Sequence, residues 1–286
     1  MAPPAADRPL TQRLLALAQT LQFGWFAGHL VLLLSSISYL ISYVTFKYYS
    51  KWAQFNYRTA FVAAAATYGI VVYKAYRARA RAGSKQQGGV LSLLTDENVQ
   101  YLGMALTWLF SKQIPLALLP FMVYSVFHVA TYVRSNLLPT VSPAPAGAAP
   151  GSSPSAKPQS KASPLADAIG KFVKENYDTS MGLVALLEVG TWFRLLVSAL
   201  TFRKGSLLLI VVYTVFLRAR YAQSSFVQNS VRQLTARIDA TVANQSTPPA
   251  VRQAWETAKN VMGQAADATD PRRYTGATGP GPKKAQ

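Results

Sequence analysis

Four ionisable side chains lie inside long apolar runs, and these are the residues whose types could do chemistry. His29 and His128 are the only two histidines in the sequence. Glu188 and Arg194 lie together in a later apolar region. Polar groups in membrane segments are costly to bury and are functional candidates by default. Transport, metal binding or catalysis is the chemistry that such a set would support.

The surroundings of these four residues weaken that interpretation. Neither histidine has Asp or Glu in its own segment to orient the imidazole or to complete a metal shell. A neutral ring that is hydrogen-bonded between helices, or that lies at headgroup level, is the favoured alternative. Glu188 and Arg194 point about 120° apart on one helix. Each is therefore expected to bond a neighbouring helix or to lie at shallow depth.

Other catalytic patterns do not occur in the sequence. With no cysteine, the chain has no disulfide, no thiol redox chemistry and no thiolate metal site. It also has no G-x-S-x-G motif, no glycine-rich phosphate loop and no paired-carboxylate constellation. We therefore predict a protein that is not an enzyme and that has no cofactor and no metal. The alternatives are a membrane adaptor that recruits a soluble partner through its C-terminal helices, and a channel or transporter that uses His128, Glu188 and Arg194.

The composition is that of a membrane protein. Half of the residues are hydrophobic and 14% are charged, whereas soluble domains are about 25% charged. Lys and Arg outnumber Asp and Glu by 29 to 11, which gives a net charge of +18. The basic stretches lie directly beside apolar runs and not in a folded nucleic-acid module. Anionic lipid headgroups are the predicted partner, and no direct nucleic-acid binding is expected.

The apolar runs come in pairs. As a helix, Gly24 to Phe46 would measure about 35 Å, enough to cross a hydrocarbon core of about 30 Å. Thr59 to Tyr73 is shorter, but Arg58 and Lys74 can extend their charges to the two interfaces. The later regions, Val99 to Val133 and Met181 to Leu217, each resemble a hairpin with one short arm. These patterns predict an all-α multipass integral membrane protein of helical hairpins plus amphipathic surface helices.

Six segments follow from this pattern. The boundaries are an N-terminal amphipathic segment at 1–23, a membrane domain with a spanning pair and a hairpin at 24–138, a disordered Pro/Ala/Ser linker at 139–164, a further hydrophobic hairpin at 165–221, C-terminal amphipathic helices at 222–262, and a disordered basic tail at 263–286.

Basic residues cluster where the apolar runs end. Because positive flanks stay cytoplasmic, the N-terminus is predicted to be cytoplasmic. Lipid headgroup contact is predicted for Lys74, Arg77, Arg79, Arg81, Arg218 and Arg220.

The C-terminal part predicts helices with one apolar face. Apolar residues recur there at three- and four-residue spacing, with polar residues between them. Such helices can lie on a membrane, or they can pack against each other or against a partner protein, and the sequence leaves both alternatives open. The residues of the predicted membrane-surface face are Phe226, Val227, Val231, Leu234, Ile238, Val242 and Trp255.

The stretch "SKQIP" at 111–115 breaks the third apolar region. Pro115 suits the first turn of a helix, whereas Pro120 removes a hydrogen bond and predicts a kink. The depth of this turn decides whether the hairpin is a shallow wedge or a full crossing.

Three stretches resemble a known family: "DENVQYLGMALTWLFSKQIPLALLPFMVYSVFHVATYVRSNLLPT" at 96–140, "WFAGHLVLLLSSISYL" at 25–40 and "YRTAFVAAAATYGIVVYK" at 57–74. They are similar to the transmembrane protein 33 family, whose fungal members include a pore-membrane nucleoporin. The resemblance implies a membrane-shaping protein of the endoplasmic reticulum and nuclear envelope, with both termini in the cytoplasm. It also implies reticulon-type proteins and nuclear pore components as partners, and no catalytic residues. The oligomeric state is open, with a homo-oligomer as one alternative.

Overall fold

The computed structural model describes residues 9–81, 95–142 and 164–268, and within these ranges it contains helices and turns and no strand. We number the helices in chain order. They are α1 (Leu10–Ala18), α2 (Leu21–Val44), α3 (Lys51–Arg81), α4 (Glu97–Phe110), α5 (Pro115–Tyr132), a π-helical turn (Val133–Leu137), α6 (Leu138–Val141), α7 (Pro164–Leu200), α8 (Ser206–Gln223), α9 (Ser225–Val242) and α10 (Pro249–Ala268).

Four helical segments in the described ranges are long and apolar enough to cross a membrane. They are Leu21–Val44, Pro115–Val141, Pro164–Leu200 and Ser206–Gln223. The prediction of an all-α multipass membrane protein is confirmed. Helix α3 has 31 residues but is not one of the four, because polar and charged residues dilute its apolar centre.

The described chain divides into two compact units. The first comprises residues 9–81, 98–142 and 164–184, and the second comprises residues 95–97 and 185–268. Helix α7 thus contributes its first part to one unit and its second part to the other.

Helices α2 and α3 form the centre of the first unit by close backbone approach. A Cβ atom on Gly28 would lie 2.5 Å from Thr67 Cγ2, so only glycine fits there. The facing surface of α3 is rich in alanine: Ala53, Ala60 and Ala64 are fully buried. Membrane helices that lack a hydrophobic driving force pack through such small residues.

The α4–α5 turn at 111–114 lies beside the end of the α2–α3 pair that carries the 45–50 turn. The Ile114 N–H donates to the Tyr57 hydroxyl at 3.0 Å. Arg58 donates to the carbonyls of Trp108 and Leu109 at the end of α4. These contacts place the "SKQIP" turn level with the first turns of α3.

Several predicted boundaries differ from the structure. Residues 51–58, which lie between the first two predicted apolar runs, form the start of α3. Helix α6 extends to Val141, inside the predicted linker, because the π-helical turn accommodates Pro139, which has no N–H to donate. Helix α10 runs to Ala268, beyond the predicted end at 262. Most of the predicted linker and basic tail lies outside the described residues.

In the second unit, the end of α7 and helix α8 contact each other as a hairpin. Gly205, at φ 81°, precedes α8 in the left-handed conformation that glycine adopts without strain. Trp192 Nε1 donates to Thr214 Oγ1 at 2.9 Å. Helix α9 then starts at a serine cap, where Ser224 Oγ accepts from the Val227 N–H.

Candidate functional site

The two histidines lie together in the first unit, between α2 and α5. His29 is 2% exposed, and its Nδ1 is 2.8 Å from Ser125 Oγ. The His29 and His128 ring centroids are 4.7 Å apart. Trp25 lies against both rings, at 4.6 Å and 4.9 Å. The cluster therefore joins α2 and α5 through one hydrogen bond and two ring contacts, and the third ring contact, between Trp25 and His29, lies within α2.

The composition of this cluster limits what it can do. Its polar members are two imidazoles and a hydroxyl, which is one ligand short of an ordinary catalytic zinc shell. In the described ranges, no group of three or more His, Cys, Asp or Glu residues could hold a metal ion. The contact between His29 and Ser125 is an interhelical hydrogen bond, which is the kind of contact that the alternative favoured from sequence describes.

A buried ion cluster in the second unit is centred on Arg220 of α8. Arg220 is 4% exposed and Glu188 is 1% exposed. Arg220 Nε lies 3.1 Å from Glu188 Oε1, and Arg220 Nη1 lies 2.5 Å from Glu97 Oε1. The Tyr213 hydroxyl donates to the Glu188 carbonyl oxygen at 3.0 Å. One guanidinium thus bridges two carboxylates that are distant in sequence.

This placement corrects the headgroup role predicted for Arg220. The arginine is enclosed, because Glu188 on α7 supplies a counter-charge inside the hairpin and removes the need to reach the interface. Glu188 does bond a neighbouring helix, as one of the sequence alternatives stated. Arg194 lies apart from this cluster, is exposed, and donates to Ser198 Oγ one turn along α7.

The other predicted headgroup contacts are on accessible surface. Lys74, Arg77, Arg79 and Arg81 are exposed along the last turns of α3. Arg77 lies over the Tyr73 ring at 5.7 Å. Arg218 is half-buried, and its guanidinium lies 5.8 Å from the Tyr221 ring centre.

Polar side chains join helices α9 and α10 through hydrogen bonds. Asp239 Oδ1 accepts from Trp255 Nε1 at 2.7 Å and from Lys259 Nζ at 2.8 Å. The Lys259 hydrogen bond lowers the pKa of Asp239, and the same bond raises the pKa of Lys259. The alternative in which these helices pack against each other is thus seen in the structure.

The predicted surface face of α9 is partly covered. Val227 is fully buried, so it does not lie on an accessible face, because the start of α9 packs against α8. Phe226, Val231, Leu234, Ile238 and Val242 are half-buried, as is Trp255 on α10. The exposed apolar surface of α10 is formed instead by Val251, Val261 and Met262.

Sequence reasoning missed the partners that complete both polar clusters. Trp25 and Ser125 resemble ordinary apolar-helix residues, and Glu97 resembles a helix-start residue. Ser125 lies 96 positions from His29 and Glu97 lies 123 positions from Arg220, so periodicity within one helix gave no signal for these two pairs. Trp25 is one helical turn before His29 on α2, but its type alone did not distinguish it from the other apolar residues there. For Glu97, its position at the edge of an apolar run was the only available sign.

The described part of the chain is helical, with four helices of spanning length, polar clusters enclosed between helices and cations at helix ends. These features define a multipass integral membrane protein. The chain belongs to the transmembrane protein 33/nucleoporin POM33 family, which matches residues 3–268. This confirms the resemblance identified from the sequence.

Curated relatives match over most of their length. Nucleoporin POM33 of Chaetomium thermophilum is 52% identical over 277 residues, which is 95% of each chain. Tetra-spanning protein 1 of Schizosaccharomyces pombe is 33% identical and covers 89% of this chain and 88% of its own. Pore membrane protein of 33 kDa of Saccharomyces cerevisiae is also 33% identical, over 90% of this chain and 87% of its own. No solved structure gives a significant match.

Proposed function

We propose that this chain is a structural, non-enzymatic protein that stabilises curved membrane of the endoplasmic reticulum and nuclear envelope and contributes to the distribution or assembly of nuclear pore complexes. The names of its relatives support the location, since they include a nucleoporin, a pore membrane protein and a pore and endoplasmic reticulum protein. Partnership with reticulon-type proteins and with pore components belongs to the same proposal.

The observation that carries the curvature role is the apolar surface of α9 and α10. Val251 and Met262 of α10 are 48% and 49% exposed, and five residues of the α9 face are half-buried. Arg232, Arg237 and Arg252 are exposed near these faces. Apolar surface beside basic residues is the composition of helices that lie in the headgroup region. Such helices add area to one leaflet, which favours positive curvature.

The test uses the full-length protein reconstituted in giant vesicles, from which thin membrane tubes are pulled. Wild-type protein should be enriched on the tubes relative to the flat vesicle. The triple variant Val231→Asp, Leu234→Asp and Ile238→Asp should lose this enrichment, because it places three charges on the apolar face of α9. The readout is the ratio of protein fluorescence to lipid fluorescence on tube and vesicle.

A matched control distinguishes the loss of the apolar face from the effect of added negative charge. The variant Gln233→Asp, Ala236→Asp and Ala240→Asp adds three carboxylates at the same spacing on exposed positions of the opposite face, and it should retain the enrichment. Equal enrichment of wild type and the 231/234/238 variant would refute the curvature role and would assign these helices to a protein partner.

A further inference from the structure

A cavity of about 540 Å³ lies in the first unit, between the π-helical turn after α5 and the first turns of α7. This volume is in the range of small-ligand sites. The residues that line it are Arg134, Asp167, Gly170, Lys171, Val173, Lys174 and Glu175.

The backbone on both sides of the cavity positions Arg134. The residue lies in the π-helical turn Val133–Leu137, and such turns often occur at functional sites. On the opposite side, a Cβ atom at Gly170 would lie 2.8 Å from Arg134 Cζ and 3.0 Å from its Nε. The guanidinium therefore rests directly against α7 at Gly170, where a larger side chain would displace it.

The charged groups around the cavity are of both signs. Arg134, Lys171 and Lys174 supply three cations, while Asp167 and Glu175 supply two carboxylates. The Lys171 to Glu175 ion pair is long, at 3.9 Å, and its side chains are 75% and 60% exposed. Exposed pairs of this kind contribute little, so a ligand that offers better partners can displace it.

The cavity lies where an apolar helix leaves the hydrocarbon. From Pro115 to Val133 the chain has no formal charge, and this stretch measures about 28 Å as a helix, close to the roughly 30 Å of the hydrocarbon core. Arg134 is the next residue. The rings of Phe127 and Phe172 stack at 5.9 Å, which packs the start of α7 against α5 about two turns before Arg134.

From these observations we propose that the cavity binds the headgroup of an amine-bearing phospholipid, such as phosphatidylethanolamine. The phosphodiester is held by Arg134 with Lys171 or Lys174, since a guanidinium matches phosphate geometry. The primary ammonium donates to Asp167 or Glu175. A phosphate without an amine leaves both carboxylates facing an anion, and a quaternary amine has no N–H to donate.

Native mass spectrometry of the full-length protein in detergent tests the lipid preference. Equal amounts of phosphatidylethanolamine, phosphatidylcholine and phosphatidylglycerol with the same acyl chains are added, and retained adducts are counted. Phosphatidylethanolamine should be retained about threefold more than either other lipid, the size expected for one added charge contact. Equal retention of all three lipids would overturn the proposal.

Two glycine variants of α7 test the position of Arg134 without changing any charge. In Gly170→Ala the new methyl group displaces the guanidinium, which can swing away because it ends a flexible side chain. In Gly182→Ala nothing lies within 4 Å of the added atom. Gly170→Ala should lower phosphatidylethanolamine retention to the level of phosphatidylcholine, and Gly182→Ala should leave it unchanged. The same retention in both variants would contradict the site.

The variant Asp167→Asn with Glu175→Gln tests the ammonium contact. It should abolish the preference for phosphatidylethanolamine over phosphatidylglycerol, because the two carboxylates no longer repel the anionic headgroup of phosphatidylglycerol. A preference that survives in this variant would refute the role of the carboxylates.

The alternative ligand is a soluble phosphate ester with the same headgroup. It is tested with glycerophosphoethanolamine, which is the headgroup without acyl chains. It should be retained far less than the intact lipid at the same concentration. Equal retention would overturn the assignment to a membrane lipid and would favour a soluble phosphate ester.

Discussion

Arg220 links two carboxylates that the chain places far apart. It contacts Glu188 across 32 positions and Glu97 across 123 positions. A charge buried without a counter-ion is strongly destabilising, whereas a paired one is close to neutral relative to apolar replacements. The stability of the second unit should therefore depend on this one side chain more than on any single apolar contact around it.

The substitution Arg220→Met should lower the free energy of unfolding by about 3 to 5 kcal/mol, because it leaves the Glu188 carboxylate buried without the guanidinium. Thermal unfolding of the purified protein in detergent, followed by circular dichroism, measures the loss. The double variant Glu188→Leu with Arg220→Met should recover most of it. As a control, Arg218→Met removes a half-buried neighbour that rests on Tyr221 and should change the midpoint little. An Arg220→Met protein as stable as wild type would contradict this account.

At this scale the sequence identified the unusual residues but not their pairing. Glu188, His29 and His128 were recognised because a polar group in an apolar run stands out. Arg220 was also noted, but as a lipid contact, since an arginine at a helix end ordinarily extends to the interface. Which helix lies opposite is a tertiary property, and spacing within one helix carries no information about it.

At the scale of elements, the α9–α10 pair has an exposed apolar surface and is held together by hydrogen bonds and an ion pair. Asp239, Trp255 and Lys259 hold the two helices together, while Val251 and Met262 stay accessible. Periodicity predicted both helices and their apolar faces. It could not predict that Val227 is buried, because that depends on how α9 packs against α8.

The substitution Asp239→Asn should loosen the α9–α10 contact, since Lys259 loses its ionic partner. Hydrogen exchange of the backbone over 249–262 should become faster. Glu256→Gln is the matched control: it removes the other carboxylate beside Lys259, at 2.8 Å and with an exposed side chain, and should have a smaller effect. Unchanged exchange in Asp239→Asn would show that apolar contacts alone hold the pair.

The pH dependence of this contact follows from the two pKa shifts. The pKa of Asp239 is lowered from 3.8, so its contribution is present above 3.8 and is lost as the pH falls below that value. The pKa of Lys259 is raised from 10.5, so its contribution is present below 10.5 and is lost at higher pH. In the same exchange experiment, wild type should therefore be protected between these limits and should approach the Asp239→Asn rate in acid.

At the scale of the whole molecule, the depth of the α4–α5 turn determines how the chain is threaded through the bilayer. Tyr57 and Arg58 bind this turn to the start of α3. If α2 and α3 cross the membrane, the turn reaches the same face as the 45–50 loop, and the α4–α5 pair is a full crossing. The sequence predicted the break at "SKQIP" but left its depth open, because depth is set by the side chains of another helix.

Single cysteines test this threading, and the natural chain has none to remove. Lys112→Cys and Tyr49→Cys should react with a membrane-impermeant maleimide from the same side of sealed vesicles. Arg81→Cys, at the opposite end of α3, should react only from the other side. Labelling of Lys112→Cys together with Arg81→Cys would indicate a shallow wedge.

The buried ion cluster also constrains how the protein is made. Glu188 and Arg220 lie in two candidate spanning helices, and on translocon insertion scales a lone charge at the bilayer centre costs about 2.5 to 3.5 kcal/mol. The two helices are therefore best released into lipid together as a preformed hairpin. Glu97 is synthesised 123 positions before its arginine, a delay of roughly 6 to 25 s at ordinary translation speed. During that interval the Glu97 carboxylate has no Arg220 to pair with and is expected to remain hydrated. The order of synthesis therefore implies that the Glu97–Arg220 ion pair forms late in the assembly of the membrane domain.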